Sequence, residues 1–208
     1  LEEIVEVARE HNLVIFSDEI YDKLLFDDEK HISIAALAPD VPVVTFGGLS
    51  KNYLAPGWRI GWGVVSGNPE ILEDFVAAIN KFLRARLSAN HPEQYAIAPM
   101  LDGTQKHLKE ILPKLQRRRD ITVEMLNAIP GISCVKPTGA FYAFPKIETA
   151  RPDTDFVKEL IQETGVVVVP GSGFGQKPGT QHFRVVFLPP DDVLKKSYEN
   201  IETFWQKF

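Results

Sequence analysis

The sequence predicts an α/β chain: a mostly parallel sheet with flanking helices, followed by a smaller α+β part. Two short apolar runs, Val14 to Phe16 and Val41 to Phe46, have strand length and end in polar, chemically active residues. A long amphipathic stretch, Lys106 to Ile129, has the helical period. After Pro130-Gly131 the texture changes to β-branched and aromatic residues, which marks a second, strand-rich part.

Taken in order, Leu1, Ile4, Val5 and Ala8 form a helical stripe over Leu1 to His11, leading into the strand Val14 to Phe16. Val41 to Phe46 is the next strand, and Trp62 to Ser66 another. Asn68-Pro69-Glu70 opens a helix that runs to Arg86, because Asn caps well and proline suits the first turn. His91-Pro92-Glu93 starts a further helix to about Leu101. In Lys106 to Ile129, Pro113 should lie near the helix start or kink it. Val135 to Phe144 reads as a strand, Thr154 to Thr164 as a helix, and Val166 to Val169 as a strand. A loop covers Pro170 to Gly175, Phe183 to Phe187 is a strand, and a terminal helix begins near Asp191.

With 208 residues, 44% of them hydrophobic, the chain can bury a real core, as one large domain or two small ones. No apolar run approaches the roughly 18–20 residues that span a bilayer, so no membrane partner is expected. The formal net charge of −5 argues against nucleic acid as a main partner. Arg117-Arg118-Arg119, the one dense basic run, reads as the solvated face of the long helix. The single cysteine, Cys134, rules out an internal disulfide and suits a reducing cytoplasm. Five scattered histidines have no ligand spacing, so no metal site is expected.

The densest chemistry lies in Gly47 to Gly61, which reads Gly-Gly-Leu-Ser-Lys-Asn-Tyr-Leu-Ala-Pro-Gly-Trp-Arg-Ile-Gly. Lys51 follows a strand in a Gly-rich turn, where a lysine amine can attack an aldehyde and form a Schiff base. Arg59 offers a fork of donors suited to a phosphate. Ser17-Asp18-Glu19-Ile20-Tyr21 places a carboxylate and then a phenol at the carboxyl end of a strand, where open α/β sheets bind ligands. His182 to Phe187 places Arg184 on a short apolar strand. Plainer readings exist for several of these: Asp18 and Ser50 as caps, Tyr21 as an aromatic on a following helix, Arg184 as a surface ion pair.

The motif Ser-Lys-x(4)-Pro-Gly-Trp-Arg-Ile-Gly-Trp resembles that of the class I and II aminotransferases, pyridoxal-phosphate enzymes of fold type I, and the resemblance runs from about Val14 to the end. Asp-Glu-Ile-Tyr-Asp-Lys-Leu-Leu-Phe-Asp-Asp is most similar to the alanine aminotransferase branch. The resemblance implies that Lys51 carries the pyridoxal phosphate, Asp18 faces its pyridine nitrogen, and Tyr21 bonds its phenolic oxygen. Ser50 and Arg59 would hold the phosphate, and Arg184 the α-carboxylate of the amino acid, with Gly139 and Phe141 on the substrate side. Many family members carry Ser or Thr where this chain has Gly48, so one phosphate hydroxyl is missing here. Asn52, Tyr53, Gly57 and Gly61 read as requirements of the fold.

The resemblance further implies that residues 1–118 are the C-terminal part of the large cofactor-binding domain and residues 119–208 the small C-terminal domain. With no earlier βα unit to supply a phosphate-binding helix N-terminus, the chain reads as the C-terminal half of a longer enzyme, one that turns over poorly alone. The implied activity moves an amino group between a small amino acid, alanine, and a 2-oxo acid, 2-oxoglutarate, in a cytoplasmic homodimer, with Arg86 to Pro92 toward the partner. Open alternatives are aspartate or aromatic aminotransfer, β-elimination or decarboxylation on the same scaffold, an aminotransferase-like sensor domain of a regulator, and an inert fragment. Side-chain specificity is not carried by these motifs.

Overall fold

The computed structural model describes residues 1–208, which form two compact units, Leu1–Leu108 and Lys109–Phe208. In the first, helix α1 (Glu2–Glu10) leads into β1 (Ile15–Asp18), followed by the short α2 (Ile34–Leu37), β2 (Val43–Gly48) and β3 (Gly61–Ser66). The helices α3 (Pro69–Arg86), α4 (His91–Gln94) and α5 (Ile97–Asp102) follow, and α6 (Lys106–Asn127) runs across the division.

β1 and β2 pair in parallel, with Ile15 opposite Val43 and Asp18 opposite Phe46. β3 returns antiparallel on β2, with Gly48 opposite Gly61. Those two glycines let the backbones meet: a Cβ on Gly61 would lie 2.9 Å from the Gly47 carbonyl oxygen, and one on Gly48 would lie 3.0 Å from that of Ile60. Val5 and Ala8 of α1 pack with Ile34, Ala38, Val41 and Val43 into one core. Leu1 and Ile4, expected in the same stripe, are exposed, so only half of the predicted stripe is used. α3 starts as its cap predicts, with the Asn68 side chain accepting from the Glu70 N–H at 3.0 Å. The helix expected from His91 to Leu101 is split into α4 and α5, and α2 was not foreseen.

In the second unit, β4 (Ile132–Ser133), β6 (Lys146–Ile147), β8 (Gln181–Val186) and β5 (Tyr142–Ala143) lie in that order, all antiparallel, and β7 (Val169–Pro170) also pairs with β8. Helices α7 (Asp153–Thr164) and α8 (Asp191–Trp205) complete it. Phe156 is wholly buried, with ring centroids of Phe183 at 5.1 Å, Phe208 at 5.5 Å and Phe204 at 5.6 Å, which makes an aromatic core between sheet and helices. Val135 to Phe144 is mostly irregular rather than one strand, with only Tyr142–Ala143 in the ladder. α6 continues through Pro113, which has no N–H to offer the carbonyl four residues back.

The reading of Arg117 to Arg119 as a solvated face is corrected. Arg119 has no exposed surface; its guanidinium donates to Asp120 at 2.8 and 2.9 Å and to the Pro137 carbonyl at 3.1 Å. Arg118 reaches the Leu188 carbonyl at 2.5 Å, and Arg117 pairs with Asp191 at 2.6 Å. No helix is long and apolar enough to cross a membrane.

Candidate functional site

Because β1 and β2 are parallel, both leave the sheet at the same edge, where α/β sheets hold ligands. Asp18 ends β1 and is exposed; its Oδ1 accepts from the Ile20 N–H at 3.2 Å, which turns the chain sharply through Ile20 to Lys23. Tyr21 stands half-buried in this turn, not on a helix.

β2 ends at Gly48, and Leu49 then inserts into a core with Tyr53, Ala55 and Ile60. The Leu49 N–H bonds the Ile60 carbonyl and the Ala55 N–H bonds the Leu49 carbonyl, both at 3.1 Å, which closes residues 49–60 into a loop. Ser50 and Lys51 sit half-buried at the start of that loop. The Lys51 Nζ lies 5.7 Å from the centre of the Tyr21 ring, so the predicted lysine and the predicted phenol are brought together. Arg59 follows a 3-10 helix over Pro56–Trp58, is exposed, and has left-handed backbone angles; its Nη1 donates to the Pro56 carbonyl at 2.7 Å.

Three contacts here were not foreseen. Asn52 is buried, and its Nδ2 donates to Asp22 Oδ1 at 2.5 Å. Lys23 Nζ donates to the Tyr53 hydroxyl at 2.7 Å. His107 Nε2 donates to the Asn52 carbonyl at 2.7 Å, which places the ring proton on that nitrogen. The only signal in the sequence was adjacency: Asp22 and Asn52 each directly follow a candidate site residue.

Glu19, next to Asp18, has a different task. Its carboxylate accepts from Ser17 and Ser33 hydroxyls at 3.0 Å, the Ile34 N–H at 3.2 Å and His31 Nε2 at 2.8 Å. Burial pushes its pKa up, but these bonds together outweigh burial and hold the carboxyl below its ordinary value. Glu19 thus fixes the start of α2 to the end of β1.

In the second unit, Arg184 lies half-buried on β8, its guanidinium carbon 4.0 Å from the Phe174 ring centre and 4.8 Å from that of Tyr142. Its Nε is buried without a hydrogen-bond partner. The guanidinium borders a cavity of about 410 Å³, lined by Val135, Pro137, Tyr142, Ala143, Phe144 and Phe174. Gly139 is half-buried between β4 and β5 and is not part of that lining.

The family model for aminotransferase class I and II matches residues 1–201. The chain is 43% identical to the glutamate-pyruvate aminotransferase AlaA of Escherichia coli K12, over 98% of this chain and 52% of that protein. It is 37% identical to an aspartate aminotransferase of Bacillus subtilis, over 97% of this chain and 51% of that one. The solved structure of an alanine aminotransferase from Pyrococcus furiosus superposes with a TM-score of 0.93 at 42% identity, covering all of this chain and 53% of that one. The chain therefore spans about half the length of the relatives it matches. It belongs to the class I and II aminotransferases, a family whose members use pyridoxal phosphate.

Proposed function

We propose that the protein containing this chain is an aminotransferase that moves an amino group between alanine and a 2-oxo acid, 2-oxoglutarate, by a ping-pong route. The observation that carries the reading is Lys51 beside Tyr21 at the sheet edge where Asp18 ends the neighbouring strand. The donor set fits pyridoxal phosphate group for group: an amine for the aldehyde, a carboxylate for the pyridine nitrogen, a phenol for the ring oxygen, and Ser50 with Arg59 for the phosphate. Only one Arg59 bond within the protein, to Pro56, competes with that last role.

When bound, the cofactor supplies an electron sink for the pair left at the substrate Cα. Asp18 would hold the proton on the pyridine nitrogen, and the Tyr21 hydroxyl would donate to the ring oxygen. Lys51 Nζ takes the proton from the substrate Cα. Arg184, its buried Nε unpaired within the protein, receives the α-carboxylate, and Gly139 lies on the substrate side. Residues 1–118 then belong to the large domain and 119–208 to the small one. The alanine assignment is supported by the names of the Escherichia coli and Pyrococcus furiosus relatives; the Bacillus subtilis relative favours aspartate as the second reading. We place the protein in the cytoplasm as a homodimer, in keeping with its family and with the single cysteine of this chain.

The test is a titration of the full-length protein with pyridoxal phosphate, wild type against Lys51→Ala, followed by alanine with 2-oxoglutarate. A visible band present only with the lysine, and pyruvate as product, are expected. An equal band in the variant would remove Lys51 from its role, and turnover of aspartate in place of alanine would move the substrate to the second reading.

A further inference from the structure

Tyr21, Asp22 and Lys23 face Lys51, Asn52 and Tyr53 residue for residue. Lys51 Nζ lies 5.7 Å from the Tyr21 ring centre, Asn52 Nδ2 donates to Asp22 at 2.5 Å, and Lys23 Nζ donates to the Tyr53 hydroxyl at 2.7 Å. The two triplets belong to different turns, one after β1 and one after β2, so nothing in the parallel ladder itself sets their separation. Asn52 is 4% exposed and Tyr53 9%, so the second and third pairs each have one buried member, while Asp22 and Lys23, like Lys51 and Tyr21, are half-buried. The main chain of the lysine turn is pinned as well, by His107 Nε2 on the Asn52 carbonyl at 2.7 Å.

We propose that Asp22 and Asn52, seconded by Lys23 and Tyr53, are positioning residues that fix the Lys51 amine relative to Tyr21. The Asp22–Asn52 pair ties the residues directly after Tyr21 and Lys51, and the Lys23–Tyr53 pair ties those two positions on, so the flexible four-carbon lysine stem starts from a backbone point held against the phenol's own turn. A bond from an amide to a carboxylate is charge-assisted and stronger than a neutral one, and here its donor side is buried while Asp22 is half-buried. Reactions that depend on one amine reaching one carbon lose rate steeply with small misplacement. Both bonds run between the neighbours of the amine and the ring, so the effect proposed for them is on placement. The inference rests on the reading of Lys51 as the cofactor lysine.

The experiment uses the full-length protein and pyridoxal phosphate. Asp22→Ala, Asn52→Ala and their double variant are compared with wild type in three quantities: the dissociation constant of pyridoxal phosphate, the pH midpoint of its visible band, and kcat against KM for alanine. Each single variant is expected to bind the cofactor about tenfold more weakly, with a displaced pH midpoint and a fall in kcat larger than any rise in KM. The double variant should match the singles, since one bond is lost only once. Folded single variants with unchanged affinity and midpoint, or a double variant with additive losses, would overturn the proposal. Should an alanine variant fail to fold, the decision passes to Tyr53→Phe, which keeps the ring in its core and removes only the hydroxyl facing Lys23; a loss of about threefold in affinity supports the proposal and none rejects it. A wild-type protein that shows no band would instead defeat the functional reading itself.

Discussion

The Tyr198 hydroxyl stands 2.8 Å from Thr122 Oγ1 in the interior of the second unit, and a third group fixes the direction of that bond. Thr122 gives its only hydroxyl proton to the Arg118 carbonyl at 2.7 Å, so Tyr198 must be the donor. Burial pushes the Tyr198 phenol up to about 12 from an ordinary 10.0.

The folded state therefore holds this proton more tightly than the unfolded chain. The stability it contributes is complete below pH 10 and is lost as pH rises from 10 toward 12. Two units of separation correspond to about 2.7 kcal/mol. Urea unfolding of the wild type across this range should show that loss, and Tyr198→Phe should not. Both should still weaken between pH 9 and 11, because burial also raises the Cys134 thiol from 9.0 to about 11.

Arg117 and Arg119 should behave in opposite ways. Arg119→Met keeps the apolar stem but removes the bonds to Asp120 and Pro137, and should cost about 2 kcal/mol. Arg117→Ala breaks an ion pair that is largely in water and should change stability by less than about 0.5 kcal/mol. Urea midpoints of the two variants decide it; equal effects would contradict the burial of Arg119.

Gly48→Ser will not simply supply the phosphate hydroxyl that the family resemblance leads one to expect at this position. A Cβ there would lie 3.0 Å from the Ile60 oxygen and 3.2 Å from the Gly61 Cα, both backbone atoms of the neighbouring strand segment. The variant should lose about 1–3 kcal/mol of stability, with no gain in cofactor retention. Thermal melting with and without pyridoxal phosphate measures both.

Phe174→Leu removes the ring closest to Arg184, at 4.0 Å, while keeping an apolar side chain. Without that face the guanidinium gains freedom that the carboxylate proposed to bind it would have to remove again. KM for the amino acid should rise about fivefold, in line with about 1 kcal/mol of cation–π stabilisation, while the spectrum of bound pyridoxal phosphate stays unchanged. A changed spectrum with an unchanged KM would contradict the role of Arg184.

The elements legible in the sequence were those with long periods or strong caps: α3 behind Asn68, α6 over its apolar stripe, α7 and α8. That Lys51 and Tyr21 would come together was legible because each follows a short apolar strand closely, and the two strands pair in parallel. What escaped were contacts between segments distant in sequence. Arg119 looked solvated because its two arginine neighbours are polar as well, and nothing local announces a guanidinium turned inward to the Pro137 carbonyl. Asn52 and Asp22 lie thirty positions apart; Asn52 read as a requirement of the fold, but nothing local named Asp22 as its partner. The strand expected over Val135 to Phe144 failed for the reverse reason: β propensity is local, but only Tyr142 and Ala143 have a partner strand in β8.

The constant offset between the two facing turns also makes their lengths interdependent. Inserting or deleting a single residue ahead of Tyr21, or ahead of Lys51, would not perturb one pair and spare the others. It would slide one triplet along the other, so that neither Asp22 nor Lys23 meets its present partner. Loop grafts that aim to alter the selectivity of this protein should therefore treat the stretches from Asp18 to Lys23 and from Gly48 to Tyr53 as one inheritance unit, exchanged together or left alone.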